Sequence, residues 1–273
     1  MASDKPPKRR ANDLTGREWL RYSVSVWRDL PKTAEERAFR HPAMFPAALV
    51  ERLMACFTTS GDRTVLDPFM GSGSTLVAAR RAGKAGIGFE VNPDYVALAR
   101  RRLEQAELFE AGASEPVIHE MDARRMTAVI PPESVALCVT SPPYWNILSQ
   151  KRTADYKAIR DYGDNSGDLS RIDDYEAFLD ALKEVFTAVY GVLELGRYCI
   201  VNVMDLRKGP RFFPLHADLA NRMVEVGFIF DDLILWDRGA EYNNLRCLGY
   251  PYVFRVNKVH EFLLIFQKPR PAS

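Results

Sequence analysis

The sequence lacks several features that would each define a class of protein. Its four cysteines lie far apart and without Cys-x-x-Cys spacing, at Cys56, Cys138, Cys199 and Cys247. This pattern indicates reduced thiols in a cytoplasmic protein and predicts neither a metal site nor a disulfide framework. No apolar run approaches the roughly eighteen residues of a membrane span, so no membrane association is expected. The basic segment at residues 1–12 has no apolar stretch behind it, so we do not expect it to be a secretory signal.

A strong net charge is also missing. The 273 residues include 37 Lys and Arg against 36 Asp and Glu, for a net charge of +1. The whole molecule therefore exerts little long-range attraction on a polyanion. If nucleic acid is the partner, local basic patches have to supply the attraction. The share of hydrophobic residues, 47%, is typical of globular domains and excludes a fibrous or largely disordered chain.

Strand-like and helix-like segments alternate from about residue 63 onward. The clearest helical periodicity covers residues 173–195 and is followed by Gly196, which we expect to end the helix. This alternation predicts an α/β fold in which helices cover both faces of a parallel sheet. The predicted strands are 64–67, 86–90, 116–119, 135–140, 198–204, 228–236 and 261–268.

A glycine-rich turn, DPFMGSGST at residues 67–75, directly follows the first of these strands and opens a helix. Glycines at such a turn allow close approach of a ligand and positive φ angles. A dinucleotide-binding fingerprint would need Gly or Ala where Leu76 stands, and a P-loop would need Gly-Lys-Ser/Thr. The turn therefore indicates a ligand site that does not have to hold a phosphate.

Glu90 ends the next predicted strand, 23 residues after Asp67. An acidic side chain at this position can accept hydrogen bonds from both hydroxyls of a ribose. The alternative is a charge near a helix start, beside the Asn92 cap. Together with the glycine turn, Glu90 favours a nucleoside site without a pyrophosphate.

The most specific segment is TSPPYW at residues 140–145, at the end of the fourth predicted strand. Its two prolines fix φ and remove two backbone donors, which predicts a stiff turn with outward carbonyls. The Ser141 hydroxyl and the Pro142 carbonyl form a pair of acceptors that suits an exocyclic amine, and Tyr144 offers a flat face for a planar base. The alternative is a Pro-Pro pair that only ends the strand.

These segments resemble those of S-adenosylmethionine-dependent amino-methyltransferases that act on DNA bases. HPAMFP at 41–46, FEVNPDY at 89–95 and HEFLL at 260–264 add to the resemblance, which spans roughly residues 41–268. The N4-cytosine type is most similar, because the N6-adenine type more often carries Asp in place of Ser141. The resemblance implies a Rossmann-like methyltransferase fold, with a mostly parallel seven-stranded sheet, a reversed C-terminal hairpin and helices on both faces.

The resemblance also implies a role for each matching residue. Ser141, Pro142, Pro143 and Tyr144 would form the catalytic base site. The reaction would be direct methyl transfer to the N4 amine of a cytosine flipped out of double-stranded DNA. S-adenosylmethionine would be bound by Phe45, Asp67, Pro68, Phe69, Gly71 and Gly73, with Glu90 on its ribose and Asp122 near its adenine.

The chain departs from this family in motif order and in length. The glycine turn precedes TSPPYW, so the order looks circularly permuted, and little sequence remains for a separate target-recognition domain. Residues 41–273 would form the catalytic domain after a basic N-terminal extension at 1–40, whose alternative is a capping helix. The loops 146–172 and 237–259 are candidate DNA contacts, although the second could equally be an ordinary loop over the sheet.

Other interpretations stay open. The target could be the N6 amine of adenine or an amine in RNA, and a non-catalytic nucleic-acid-binding protein is the alternative from another class. We expect DNA and a cognate restriction endonuclease as partners, and the oligomeric state is not predicted. The charge run Arg100–Arg102 indicates an exposed, solvated helix face.

Overall fold

The computed structural model describes residues 10–38, 44–107, 115–147, 167–241 and 245–271. Within these ranges the helices are α1 (Gly16–Tyr22), α2 (Ala34–Ala38), α3 (Ala47–Phe57), α4 (Ser74–Arg81), α5 (Pro93–Glu107), α6 (Tyr175–Val192) and α7 (Leu215–Val226). The strands are β1 (Val26–Trp27), β2 (Thr64–Asp67), β3 (Ala85–Glu90), β4 (Val117–Glu120), β5 (Val135–Thr140), β6 (Leu193–Val203), β7 (Leu206–Lys208), β8 (Arg211–Phe213), β9 (Ile229–Asp237) and β10 (His260–Gln267).

Eight strands form one sheet in the order β1-β9-β10-β6-β5-β2-β3-β4. All of them are parallel except β10, which lies antiparallel to both β6 and β9. The predicted mostly parallel sheet with a reversed C-terminal hairpin is therefore confirmed. Seven of the strands are those that the sequence predicts. The eighth, β1, comes from the segment before residue 41 and pairs in parallel with β9.

Helices cover both faces of the sheet, as predicted. Val65 of β2 and Val139 of β5 face the core that α3, α4 and α5 complete. Leu66 and Cys138, their neighbours in the chain, face the core that α6 and α7 complete. This alternation explains why neighbouring positions in the middle of β2 and β5 are both apolar, since successive side chains are buried on opposite faces of the sheet. In the described residues, no helix is both long and apolar enough to cross a membrane.

The end of α6 differs from the sequence prediction. The helix ends at Val192, and Leu193 is already extended and begins β6. Gly196 lies inside this strand with a φ of +75°, in the left-handed region that glycine adopts without strain. The glycine therefore marks an irregular turn of the strand, beside a register shift against β5, and does not end the helix.

The topology places a crevice at one edge of the sheet. β2 pairs with β3 on one side and with β5 on the other, so the chain order reverses between β2 and β5. Ligands of open α/β sheets bind outside the carboxyl ends of the strands at such a reversal. The glycine turn follows β2 and TSPPYW follows β5, so both motifs lie at this point.

Candidate active site

A cleft opens at the carboxyl ends of β2, β3, β4 and β5. The space between its lining atoms is about 790 Å³, including the mouth that opens to solvent. It is lined by eight of the twelve site residues named from the sequence: Phe45, Pro68, Phe69, Gly71, Glu90, Asp122, Ser141 and Pro143. The other four, Asp67, Gly73, Pro142 and Tyr144, are not part of this lining.

Asp67 lies behind the cleft and connects the segments that form its wall through hydrogen bonds. Its side chain is buried, and its Oδ2 accepts a hydrogen bond from Thr75 Oγ1 at 2.7 Å. Its Oδ1 accepts one from Thr140 Oγ1 at 2.6 Å and one from the Phe69 amide at 3.0 Å. Burial raises the pKa of Asp67 to about 6. The carboxylate thus joins the glycine turn to the first residue of TSPPYW.

Gly73 packs against a helix and does not line the cleft. It precedes α4 with a φ of +81°, and a Cβ atom at this position would lie 3.0 Å from the Cβ of Ala99 on α5. A glycine is required here because the backbone is left-handed and the neighbouring helix is close.

Arg102 corrects one sequence interpretation. Instead of lying on a solvated face, it is buried, and its Nη1 donates to the Ser72 carbonyl at 2.6 Å and to the Ser72 Oγ at 3.0 Å. Arg102 is three residues after Ala99 on α5 and therefore shares the helix face that packs on the glycine turn. That spacing is the one signal in the sequence that could have identified it.

Glu90 stands at the end of β3 on the wall of the cleft. Its Oε2 accepts a hydrogen bond from the Gly71 amide at 2.9 Å, and its Oε1 accepts one from the Asn92 amide at 2.8 Å. A carboxylate has about four lone-pair sites, so the group keeps capacity for a ligand donor. Burial, with a smaller contribution from the charge of Asp168, raises the pKa of Glu90 to about 7.

Asp168 also lines the cleft, and no motif pointed to it beyond its place in the irregular stretch 146–172. Its Oδ1 accepts a hydrogen bond from the Ser170 amide at 2.9 Å. Its Oδ2 is shielded from solvent and has no hydrogen-bond partner within the described ranges. An unsatisfied carboxylate oxygen near Glu90 suits a cationic ligand that carries hydroxyl or ammonium donors.

Asp122 lines the cleft next to the end of β4, but its carboxylate is engaged locally. Its Oδ1 accepts from the Arg124 amide at 2.9 Å, and its Oδ2 accepts from Arg124 Nε at 2.9 Å. Apolar side chains to which the sequence analysis gave no individual role complete the lining, among them Met44, Phe89, Tyr95, Met121 and Val185. Residues 41–43 of the HPAMFP segment lie outside the described residues.

Ser141 lies at the rim of the cleft and points toward Tyr144. The Ser141 Oγ and the Tyr144 hydroxyl oxygen are 3.5 Å apart. Tyr144 is buried, and its hydroxyl donates to Glu261 Oε2 at 3.2 Å. In this conformation Tyr144 belongs to the core behind the rim, and its stacking role remains a prediction.

Glu261 on β10 is buried and accepts hydrogen bonds from several side chains behind Ser141. Besides Tyr144, it accepts a hydrogen bond from Asn202 Nδ2 at 2.5 Å and forms an ion pair with Arg238. Arg238 is also paired with Glu241, at 2.8 Å. The sequence placed Glu261 in the HEFLL segment without a role, because only the pairing of β10 with β6 brings it next to Tyr144.

Comparison with known proteins identifies the family. A family model described as DNA methylase, for N6 and N4 methyltransferases, matches residues 3–101 and 135–272. The chain belongs to this DNA methylase family. Its cofactor is S-adenosylmethionine, and the unsatisfied Asp168 oxygen and the half-buried Glu90 carboxylate fit that cationic, ribose-bearing molecule.

Individual relatives match over shorter stretches than the family model does. The type II methyltransferase M2.DpnII of Streptococcus pneumoniae is 37% identical over 107 residues, 35% of this chain and 40% of the relative. The DNA adenine methyltransferase YhdJ of Escherichia coli K12 is 39% identical over 89 residues, 32% of this chain and 30% of the relative. The solved structure of TTHA0409 from Thermus thermophilus, complexed with S-adenosyl-L-methionine, is 31% identical, with a TM-score of 0.39 over 56% of this chain and 55% of that one. This chain thus spans two fifths or less of these two curated relatives.

Proposed function

We propose that this DNA methylase transfers a methyl group from S-adenosylmethionine to the N4 amine of cytosine in DNA. The observation that carries the proposal is the cleft itself. Ser141 and Pro143 of TSPPYW line the same space as Glu90 and the glycine turn. A methyl donor held by the turn would therefore face an amine held at Ser141.

The chain's own groups supply orientation and local electrostatics. Tyr144 has a single hydroxyl hydrogen, which it donates to Glu261, so it is the Ser141 hydroxyl that donates to Tyr144. The lone pairs of Ser141 then remain free to accept an amine hydrogen. With the Pro142 carbonyl as the second acceptor, the amine is held so that its nitrogen lone pair points at the donor site. S-adenosylmethionine, when bound, supplies an electrophilic methyl on a sulfonium.

The same residues define the binding side of the proposal. Glu90 would accept hydrogen bonds from the ribose hydroxyls, and Asp168 would accept one from a further donor of the cofactor. Phe45, Phe69 and Asp122 would enclose the rest of the molecule. Asp67 and Gly73, which lie behind the lining, would hold the glycine turn in shape. The base would reach Ser141 by flipping out of duplex DNA, because an amine inside the helix is inaccessible.

Cytosine is preferred to adenine because Ser141 stands where the N6-adenine type more often carries Asp. The second candidate is N6-adenine methylation, which the match to the adenine methyltransferase YhdJ favours. As part of the first proposal, we infer that the motif order is circularly permuted and that residues 41–273 form the catalytic domain. We also infer that a cognate restriction endonuclease accompanies the protein.

The test is nucleoside mass spectrometry of DNA that has been incubated with the protein and isotopically labelled S-adenosylmethionine. We expect labelled N4-methylcytosine, and sequencing of the modified sites then gives the target. Labelled N6-methyladenine would replace the first candidate by the second. Label found in RNA and absent from DNA would reject both, and cofactor binding without methylation of any nucleic acid would leave a non-catalytic binding protein.

A further inference from the structure

Two neighbouring segments concentrate positive charge on an otherwise balanced chain. The first is the β7–β8 hairpin, residues 206–213, and the second is the stretch 245–258. Together they contain six Lys and Arg and no Asp or Glu, whereas the whole chain has a net charge of +1. The six are Arg207, Lys208, Arg211, Arg246, Arg255 and Lys258.

The hairpin cations are not neutralised by carboxylates. Arg207 donates to the Pro210 carbonyl at 2.9 Å, and Lys208 Nζ donates to Asn146 Oδ1 at 3.4 Å. In the described part of the chain, neither forms an ion pair, and the same holds for Arg211, Arg255 and Lys258. Other surface arginines do form them, as Arg222 does with Glu176 at 2.9 Å. The hairpin thus presents uncompensated charge, which is what phosphate groups require.

Phe212 joins the two segments into one surface. The Arg207 guanidinium lies 5.4 Å from the centroid of its ring, and Lys258 Nζ, from the second segment, lies 4.9 Å from the same centroid. Further aromatic rings project from the second segment into solvent. Tyr252 is 90% exposed and Phe254 is 93% exposed. Cations that alternate with exposed rings suit a nucleic acid, because phosphates contact the cations while unstacked bases contact the rings.

The surface begins beside the proposed base site. Lys208 Nζ lies 4.4 Å from the centroid of the Trp145 ring, and Trp145 directly follows Tyr144 in TSPPYW. β7 continues from the carboxyl end of β6, the same sheet edge at which the cleft opens. A strand whose base enters the cleft would therefore pass over the hairpin.

We propose that the β7–β8 hairpin and the 245–258 segment form the surface that binds the DNA backbone next to the flipped base. This inference rests on the proposed function and adds the hairpin, which the sequence analysis did not consider. Phosphate contacts made here position the duplex, and the exposed aromatic rings contact bases that are unstacked around the target.

The experiment compares two triple variants by fluorescence anisotropy of a labelled duplex in a series of salt concentrations. The hairpin variant is R207Q/K208Q/R211Q. The matched control is R63Q/R100Q/R101Q, which removes three exposed cations from the amino end of β2 and from α5. We expect the hairpin variant to bind duplex at least about tenfold more weakly. The slope of log affinity against log salt should fall by about one for each lost phosphate contact.

Further measurements distinguish failure of this inference from failure of the proposed function. Cofactor affinity, measured by calorimetry, should stay unchanged in both variants, which shows that the cleft is folded. The conservative variant R207K/R211K should keep the salt slope of the parent protein. If the parent protein methylates DNA but the hairpin and control variants have equal duplex affinity and equal salt slope, this inference is overturned. A parent protein that methylates no DNA would instead overturn the proposed function.

Discussion

Among single residues, Glu90 in its proposed role would couple cofactor binding to pH. Its pKa is raised to about 7, mainly by burial, so it is largely protonated at pH 6 and largely ionised at pH 8. The ionised form would accept ribose hydrogen bonds and attract the sulfonium better than the protonated form. We therefore expect affinity for S-adenosylmethionine, measured by calorimetry, to rise about tenfold between these two values. Glu90→Gln should bind more weakly and lose most of this dependence. An equally steep profile in the variant would assign the effect to another group.

The stability of the unliganded protein should depend on pH in the opposite direction from cofactor affinity. The folded pKa of Glu90 lies above its ordinary value of 4.5, so the folded state retains a proton that the unfolded chain releases. The stabilisation from the protonated carboxyl is present below about pH 4.5 and is lost as the pH rises toward 7. Urea midpoints of the parent protein relative to Glu90→Gln should show this decline.

Ser141 is expected to affect the chemical step. Ser141→Ala removes one of the two acceptors for the amine, so the single-turnover rate should fall by about 100-fold, the scale found when one oriented hydrogen bond is lost. Cofactor affinity should be unaffected, because the proposed role of Ser141 is to hold the amine, and the cofactor is assigned to other residues of the cleft. A rate equal to that of the parent protein would reject the role of Ser141.

Glu261 should act on the same step from a distance, through Tyr144. In Glu261→Gln an amide can donate toward the Tyr144 hydroxyl, which reverses the hydrogen-bond order that leaves Ser141 as an acceptor. We expect a lower single-turnover rate at saturating cofactor and DNA, with unchanged cofactor affinity. Glu241→Gln, which removes the other carboxylate partner of Arg238, is the matched control and should keep the rate.

At the scale of elements, the junction between the glycine turn and α4 depends on Gly73. Gly73→Ala places a Cβ in left-handed backbone and 3.0 Å from Ala99. Gly83→Ala is the natural comparison, because Gly83 has a φ of +66° but nothing within 4 Å of its Cβ position. Left-handed backbone alone costs about 1–2 kcal/mol. Urea denaturation should therefore show a larger loss for Gly73→Ala, and equal losses would mean that α5 yields to the added methyl.

Elements that depend on local pattern were predictable from the sequence, and those that depend on long-range pairing were not. Short apolar segments located seven strands of the sheet, and the 3.6-residue period located the long helix α6. Glu261 was not assigned a role because 117 residues separate it from Tyr144. Arg102 was misinterpreted because a run of three arginines does not show which of them points toward the core. Ala99, on the same helix face, was the available signal. α6 ends before Gly196 because the extended backbone of Leu193 already belongs to the sheet.

The residues of the cleft likewise divide into those that local sequence pattern could locate and those that only the fold brings together. Residues next to strand ends, such as Glu90 and Ser141, could be located from motif and strand together. Asp168 comes from a stretch without periodicity, so only the fold shows that it lies near Glu90. Tyr144 was expected to face the base, but its hydroxyl is drawn toward the buried Glu261, a partner that the sequence could not place.

At the scale of the whole molecule, residues 10–38 contribute to the structural core. Trp27 of β1 is 1% exposed and packs in the core on the α3 face of the sheet. Trp27→Ala should lower the free energy of unfolding by about 3–5 kcal/mol. Trp19→Ala on α1 is the control, because Trp19 is 49% exposed and its loss should cost little. Similar urea midpoints for both variants would show that β1 docks loosely.

The position of β10 has a consequence for when the protein can work. β10 lies between β6 and β9, although both precede it in the chain. During synthesis these two strands emerge from the ribosome with no partner between them, and the sheet stays divided until β10 arrives. β10 also delivers Glu261 to Tyr144, so the hydrogen-bond order at Ser141 is set in the same event. On the proposed function, we therefore expect a nascent chain that has not yet released β10 to lack an organised base site, and methylation to begin only once the sheet has closed.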